Sequence, residues 1–245
     1  MTTAVILAAG MGTRLRGMQG PVPKGLISLG GEPIVARSLR LLRRQGVTRT
    51  VIVVGHLKEA YQDFAAGQPD LELVENAAYA ETGTMASLAC ALPRVREGFL
   101  LLESDIVYER RALRALLAQP ERDVILGSGP TGAGDEVWLQ APRGRLEAMS
   151  KDRASLGSVA GEMVGICRIS AGLAELLAAR FDQFVARCGH GRMSYETDGL
   201  VLAAAERALA VHVVPDLLWG EIDDGQHLRR VRDQVLPEIL QREGP

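Results

Sequence analysis

Apolar runs of strand length alternate with segments of helical periodicity through the first half of the chain. Residues 4–9 (AVILAA), 49–55 (RTVIVVG) and 98–105 (GFLLLESD) are short and mostly apolar, which predicts buried strands. Residues 33–46 repeat apolar side chains at helical spacing and end at a glycine, which predicts a helix. This alternation is typical of a mostly parallel sheet with helices on both faces, in which ligands bind beyond the carboxyl ends of the strands.

The pattern changes from about Gly134 onward. Extended segments at 135–141, 144–150 and 161–170, with turns between them, predict mixed or antiparallel pairing. Before residue 134, helices are also predicted at 57–66, 83–92 and 110–119, and extended segments at 71–76 and 122–129. After residue 170, the predicted elements are helices at 171–187 and 198–208, a strand at 209–215 and a closing amphipathic helix at 224–240. We therefore predict an α/β fold with a mixed, mostly parallel central sheet flanked by helices, Rossmann-like, in one domain over 1–245.

Composition narrows the range of functions. The chain has 245 residues and a net charge of −2, from 28 basic and 30 acidic residues, so no large nucleic-acid surface is expected. Its three cysteines form neither a zinc-binding pattern nor a disulfide framework. No apolar run has the length of a membrane span, and the first residues do not resemble a secretory leader. We expect a cytoplasmic protein with no membrane partner.

Two glycines and an arginine follow the first predicted strand, at Gly10, Gly12 and Arg14. Glycines let the backbone approach a ligand closely, consecutive amides can hold an anion, and an arginine can neutralise phosphate oxygens. A lone pair of glycines is more often only a tight turn. Leu15 stands where a dinucleotide-binding motif would need its third glycine, and the P-loop pattern is absent.

Acidic residues follow a second predicted strand and recur near the end of the chain. Glu103 and Asp105 end the strand at 98–105, and Glu221 and Asp223 lie in the sequence WGEIDD. Carboxylate oxygens suit Mg²⁺, which also binds substrate phosphates. Acidic residues before a helix can equally be N-caps, so each pair alone is a weak signal.

Taken together, LAAGMGTRL and the following PKGL resemble the nucleotidyltransferases that join an NTP to a phosphorylated small molecule. The strings TGTMASL, FLLLESDIVY, GDEVWLQA, SKDR, GEMVGICRIS and LWGEIDDGQHL narrow this to the CTP:2-aminoethylphosphonate cytidylyltransferases, relatives of the phosphocholine cytidylyltransferases. The resemblance spans nearly the whole chain. It implies that CTP and 2-aminoethylphosphonate give CMP-2-aminoethylphosphonate and pyrophosphate, for phosphonate tailoring of glycans or lipids.

The resemblance also implies roles for individual residues. The catalytic cations are Arg14, Lys24 and Lys151, and the Mg²⁺ ligands are Asp105, Asp223 and Glu221. The nucleotide-binding residues are Leu7, Ala8, Ala9, Gly10, Gly12, Thr13, Asn76, Gly83, Thr84 and Glu103. Gly83 and Thr84 are expected to begin a helix with free amides.

The acceptor carries a primary ammonium, which carboxylates should meet. The predicted acceptor-binding residues, within elements mainly from 134–223, are Glu136, Trp138, Glu162, Tyr195 and Glu196, with Asp135 a further candidate. Phosphocholine would instead favour stacked aromatics, for which Trp138, Tyr195 and Trp219 are available. The sequence is also compatible with a sugar-1-phosphate nucleotidyltransferase or a non-catalytic nucleotide sensor. A homodimer is also compatible with the sequence.

Overall fold

We describe a computed structural model, which covers residues 1–15 and 22–244. Its strands are β1 (Thr3–Ala8), β2 (Ser28–Leu29), β3 (Glu32–Pro33), β4 (Arg49–Val54), β5 (Leu71–Glu75), β6 (Phe99–Glu103), β7 (Ile106–Tyr108), β8 (Val124–Ser128), β9 (Trp138–Gln140), β10 (Ala148–Ser150), β11 (Gly161–Ile169), β12 (Ala210–Val214) and β13 (Trp219–Glu221). Its helices are α1 (Ile34–Arg44), α2 (Lys58–Ala65), α3 (Thr84–Ala91), α4 (Arg111–Leu117), α5 (Ala171–Cys188), α6 (Val201–Ala204), α7 (Gly225–Arg230) and α8 (Leu236–Glu243).

Four parallel strands form one side of the main sheet, in the order β5-β4-β1-β6. They correspond to the predicted apolar runs and to the short strand predicted at 71–76. Residues 4–8 of β1 are all buried, because helices cover both faces of the sheet. The chain moves outward from β1 on one side to β4 and β5, then returns to the other side with β6. This reversal places a ligand crevice at the carboxyl ends of β1 and β6.

The other side of the sheet is mixed, which confirms the change of pattern near residue 134. Strand β11 is antiparallel to β6, to β8 and to β9, while β12 is parallel to β8. The register of β11 shifts between Met163 and Cys167, and Gly165 in that interval has a φ of +76°. A Cβ on Gly165 would lie 3.0 Å from the Glu103 carboxylate, so the glycine leaves room for that side chain.

The sequence patterns missed a small two-stranded sheet, in which β7 pairs antiparallel with β13. Each strand has only three residues, too few to show a period of two. Ile106 lies opposite Glu221, and the amide of Ile222 donates to the carbonyl of Asp105 at 3.0 Å. The pairing therefore brings together two acidic segments that are far apart in the sequence.

Helices pack on both faces and at one end of the sheet. One apolar cluster lies under α3 and α5, a second under α1 and α4, and a third joins α1 to α7 and α8. The predicted closing helix is interrupted by a π-helical turn at Val231–Val235. Within residues 1–15 and 22–244, no helix combines the length and the apolar character that crossing a bilayer requires.

Candidate active site

Two adjoining cavities open at the carboxyl ends of β1 and β6. The first, which we call the β1-loop cavity, has a volume of about 280 Å³ and is lined by residues 7–14 with Lys24, Asp105 and Asp223. The second, the acidic cavity, has about 560 Å³ and is lined by side chains from 131–137, 162–165 and 192–198. The residues that line both are Thr84, Glu103, Glu196 and Glu221. Ligands in the two cavities would therefore meet at a shared wall that carries three carboxylates.

The loop after β1 forms one side of the β1-loop cavity. Gly12 has a φ of +56°, and its carbonyl accepts the amide of Leu15 at 3.1 Å, closing a tight turn. All the loop residues with a predicted nucleotide role line this cavity, namely Leu7, Ala8, Ala9, Gly10, Gly12 and Thr13. The glycine-rich segment is thus both a turn and a cavity wall.

Arg14 and Lys24 converge on the acidic residues of the same cavity. Arg14 donates to Asp223 at 2.6 Å, and the Lys24 ammonium bridges Asp105, at 2.9 Å, and Asp223. Burial alone would lower the pKa of Lys24, but the two carboxylates outweigh it and raise that pKa. Burial would raise the pKa of Asp223, but Lys24 and Arg14 hold it at about 2. Both cations face the space where the sequence predicts a triphosphate.

Glu103, Asp105 and Glu221 form a cluster whose carboxylate oxygens lie within 4.8 Å of one another. Burial, followed by repulsion from Asp105, raises the pKa of Glu221 to about 9. Burial and the charge of Glu221 likewise raise the pKa of Glu103. A divalent cation would relieve this repulsion, and three carboxylates form an all-oxygen ligand set that suits Mg²⁺.

The structure places the three predicted metal ligands in two different clusters. Asp105 and Glu221 belong to the cluster with Glu103, which the sequence assigned to the nucleotide. Asp223 lies beyond Lys24, grouped with Asp135 and His227. The adjacent Asp224 is the N-cap of α7 and accepts the amides of residues 226 and 227. Asp224 is therefore the only acidic residue of WGEIDD that caps a helix, which is the alternative role that the sequence allowed for these acids.

Tyr195 supports the shared wall. It is fully buried, and its hydroxyl donates to Glu103 at 2.8 Å. Its amide donates to the Thr84 hydroxyl at 2.9 Å, and that hydroxyl donates to Glu196 at 3.1 Å. The structure thus gives Tyr195, a predicted acceptor contact, the role of orienting a carboxylate.

Two nucleotide-binding predictions are revised by local hydrogen bonding. Gly83 is the N-cap of α3, as expected, but its amide donates to the carbonyl of Gly191 at 2.9 Å, so it is not free. The buried side chain of Asn76 donates to Thr82 and Ser87 and accepts the amide of residue 78. Asn76 lines neither cavity and instead braces the turn before α3.

Glu162 anchors a loop at the edge of the acidic cavity. Its two carboxylate oxygens accept the amide and the hydroxyl of Thr131, at 2.6 and 3.0 Å. Burial raises the pKa of Glu162 to about 7, against the effect of these hydrogen bonds. Glu136 and Lys151 also line this cavity, as their predicted roles require.

Trp138, a predicted acceptor-binding residue, lies outside the lining of the acidic cavity. The residue is buried in β9 and is absent from the linings of both cavities, with the Arg153 guanidinium 4.8 Å from its ring centroid. The alternating side chains of a strand explain this, because Val137, its neighbour in sequence, does line the acidic cavity.

The sequence analysis missed His227, which reaches this region from α7. Its Nε2 lies 3.1 Å from the carbonyl of Ala133, and its Nδ1 lies 3.5 Å from Asp135. The spacing of charged residues gave no signal for it, because Asp223 precedes the N-cap Asp224 and lies outside the helix that carries His227.

Comparison with known proteins identifies the class. A family model described as the MobA-like NTP transferase domain matches residues 4–163. A 2-aminoethylphosphonate cytidylyltransferase from Lancefieldella rimae is 30% identical over 224 residues, which cover 91% of this chain and 88% of the relative. The chain belongs to this NTP transferase family, which confirms the resemblance found in the sequence.

Two further proteins extend the comparison. The CMP-5'-(3-aminopropyl)phosphonate synthase of Streptomyces rubellomurinus is 34% identical over 235 residues, 90% of this chain. The match spans only 37% of that longer protein. The solved structure of the inositol-1-phosphate CTP transferase from T. maritima superposes with a TM-score of 0.81 at 22% identity, covering 98% of this chain and 96% of that one. This structural likeness confirms the predicted fold class.

Proposed function

We propose that the chain is a Mg²⁺-dependent cytidylyltransferase that converts CTP and 2-aminoethylphosphonate to CMP-2-aminoethylphosphonate and pyrophosphate. Two relatives that align with about nine-tenths of the chain are named for making CMP derivatives of aminophosphonates or for transferring cytidylyl to one. The observation that carries the proposal is the pair of adjoining cavities with a shared carboxylate wall. One cavity has cations for a triphosphate, and the other has carboxylates for an ammonium.

The reaction requires positioning and charge neutralisation more than proton transfer. A phosphonate oxygen attacks the α-phosphorus of CTP, a new P–O bond forms, and the bond to the β-phosphate oxygen breaks, so that pyrophosphate leaves. The nucleophile is already anionic near neutral pH. Arg14 and Lys24, paired with carboxylates in the β1-loop cavity, would stabilise the charge on the leaving group.

The metal would be held by carboxylates at the shared wall and beside it. Asp105 and Glu221 would be its ligands, with Glu103 completing the cluster and Asp223 adjacent through Lys24. Bound there, Mg²⁺ supplies positive charge to the phosphate and phosphonate oxygens. Lys151 is exposed at the rim of the acidic cavity, where it would meet the phosphonate as that group enters.

The acidic cavity favours a primary amine over a trimethylammonium group. Glu136 and Glu162 both line it, and each carboxylate oxygen can accept more than one hydrogen bond. An aromatic cage is poorly supplied there, since neither Trp138 nor Tyr195 lines this cavity. Among the described residues, Trp219 is the one aromatic side chain in its lining, and a cage needs several ring faces.

A matrix of substrates tests the proposal. Pyrophosphate release would be measured with CTP, UTP, ATP or GTP, each against 2-aminoethylphosphonate, 3-aminopropylphosphonate, phosphocholine and a sugar-1-phosphate. We expect the highest kcat/KM with CTP and 2-aminoethylphosphonate. A preference for 3-aminopropylphosphonate would revise only the chain length of the proposed acceptor. Release only with phosphocholine or the sugar phosphate would overturn the proposed acceptor. The onward use of the product, on glycans or lipids, stays a prediction.

A further inference from the structure

Tyr61 is a fully buried tyrosine at the β1-loop cavity, and its hydroxyl is unsatisfied. It is the buried residue of α2 and belongs to the lining of that cavity. Ser104 and the Gly25 amide lie near the hydroxyl, but it has no partner in hydrogen-bonding geometry among the residues that the structure describes. A buried hydroxyl without a partner destabilises a fold. The presence of this oxygen atom therefore needs an explanation other than stability.

The contacts of Gly25 show what the hydroxyl does to the chain around it. A Cβ on Gly25 would clash with the Tyr61 hydroxyl oxygen and would lie 2.9 Å from the carbonyl oxygen of Ser104. Gly25 thus occupies a slot between α2 and the segment that follows β6, and this slot has no room for a side chain. The far side of the slot is fixed, because the Ser104 amide donates to the carbonyl of Leu7 at 3.1 Å.

The near side of the slot is fixed through the start of α2. A Cβ on Gly55, which follows β4, would lie 2.8 Å from the carbonyl oxygen of Ala9 in the loop after β1. Leu57, directly before α2, has a φ of +57°, a conformation that is costly for a leucine. The helix that carries Tyr61 therefore begins in a backbone conformation constrained by the loop after β1, which holds the hydroxyl against Gly25.

Lys24 is the residue that this slot places. It directly precedes Gly25 in one short helical turn, Lys24–Leu26, so the two residues move together. Its ammonium bridges Asp105, at 2.9 Å, and Asp223. Asp105 directly follows Ser104, so both the lysine and one of its partners are attached to the walls of the slot. The width of the slot thus sets how the ammonium meets the carboxylates.

We propose that Tyr61 is a positioning residue for Lys24, with its hydroxyl oxygen acting as a spacer that fixes the lysine turn relative to Asp105. This inference rests on the proposed role of Lys24 at the leaving pyrophosphate. Misplacing such a group by about 1 Å can cost about 100-fold in rate, so a spacer of one oxygen atom is large enough to matter. Stability and activity then place opposite demands on the same atom.

Tyr61→Phe removes the hydroxyl and nothing else. The Tm should stay the same or rise, because an unpartnered buried polar group is lost. The kcat for pyrophosphate release should fall about tenfold, with little change in the KM for CTP, because Lys24 acts on charge that develops in the transition state. In the Lys24→Ala background, the same substitution should change kcat by less than about twofold, since it acts through the lysine.

Tyr108→Phe is the matched control. Tyr108, on β7, is also buried and its hydroxyl also lacks a partner among the described residues, but it lines neither cavity. Its substitution should leave kcat at the wild-type value. A fall in Tm that accompanies the loss of activity in Tyr61→Phe would make Tyr61 a packing residue and overturn the inference. Equal losses of kcat from Tyr61→Phe with and without Lys24 would also overturn it.

A measurement without turnover separates this inference from the proposed activity. The chain has three lysines, Lys24, Lys58 and Lys151, so ¹³C-lysine labelling gives a small set of side-chain NMR signals, and the one missing in Lys24→Ala belongs to Lys24. Tyr61→Phe should shift the Lys24 signal and leave the other two in place. An unshifted Lys24 signal would overturn the positioning role. A shifted signal with unchanged kcat would support that role and contradict the proposed action of Lys24 on pyrophosphate.

Discussion

The two cavities share a wall but differ in how their charges are balanced. In the β1-loop cavity, Asp223 is paired with both Arg14 and Lys24, and Lys24 also pairs with Asp105. In the acidic cavity, the buried Glu162 is held by a hydroxyl and an amide and has a raised pKa. The first cavity can exchange internal ion pairs for a polyanion and its metal. In the second cavity, Glu162 has no ion pair among the described residues, so a cationic acceptor would favour its ionised form.

The largest effect is expected where the cations and carboxylates of the β1-loop cavity meet. Asp105→Asn and Asp223→Asn should each lower kcat/KM by about 1000-fold, since each removes a charge that organises metal and triphosphate. Steady-state pyrophosphate release against Mg²⁺ concentration would measure this. Asp224→Asn is the control, because Asn caps a helix as well as Asp does. Near-normal turnover at low Mg²⁺ would remove the affected residue from the metal assignment.

Lys24→Ala should lower kcat/KM by about 100-fold through loss of charge at the leaving pyrophosphate. It also leaves Asp105 and Asp223 without their shared cation, so the Tm of the metal-free variant should fall. Mg²⁺ should then raise the Tm of the variant more than that of the wild type. A lower Tm that Mg²⁺ does not recover, with normal activity of the folded fraction, would make Lys24 a structural residue only.

The acidic cavity should discriminate by methylation of the acceptor amine. Each N-methyl group added to 2-aminoethylphosphonate removes a hydrogen-bond donor, and we expect kcat/KM to fall about tenfold per lost charge-assisted bond, from a cost of about 1.5 kcal/mol. Glu162→Gln should reduce this discrimination as well as activity.

Trp138→Phe serves as the aromatic control for the same series, because the residue lies outside both cavities. Its methylation series should follow that of the wild type. If the trimethylated phosphonate reacts as well as the primary amine in the wild type, carboxylate recognition is wrong and an aromatic site is the better explanation.

The smallest effect concerns stability and pH at the shared wall. The folded pKa of Glu221, about 9, is above its ordinary value of 4.5, so between these values the folded state binds more protons than the unfolded one. Stability of the metal-free protein should therefore fall as pH rises through this window. Glu221→Gln should flatten the dependence and raise the Tm at pH 8 by a few degrees. Thermal melts in chelator from about pH 5 to 9 would test this, and parallel curves for the two proteins would contradict it.

The fold was largely predictable because its strands are apolar runs and its helices have clear periodicity. The parallel strands and the long helix α5 (Ala171–Cys188) follow directly from those patterns. The short strands β7 and β13 were missed, since three residues carry no periodic signal, although their pairing joins the two acidic segments of the site. The sequence also did not show that Asn76 and Trp138 lie outside the cavities. The side chain of Asn76 donates a hydrogen bond to Thr82, and Trp138 is on a strand face that does not line the acidic cavity.

The residue types at the site could be read from the chain alone: glycines and cations after β1, and acids at the ends of β6 and β13. These assignments depend on which residues are neighbours in the sequence, and a sequence motif states that directly. Which charges meet was settled by the folded arrangement, in which Lys24 lies between Asp105 and Asp223 and His227 faces Asp135. The physical reason is that charge pairing depends on distances of a few ångströms, and those distances are set by long-range strand pairing and helix packing.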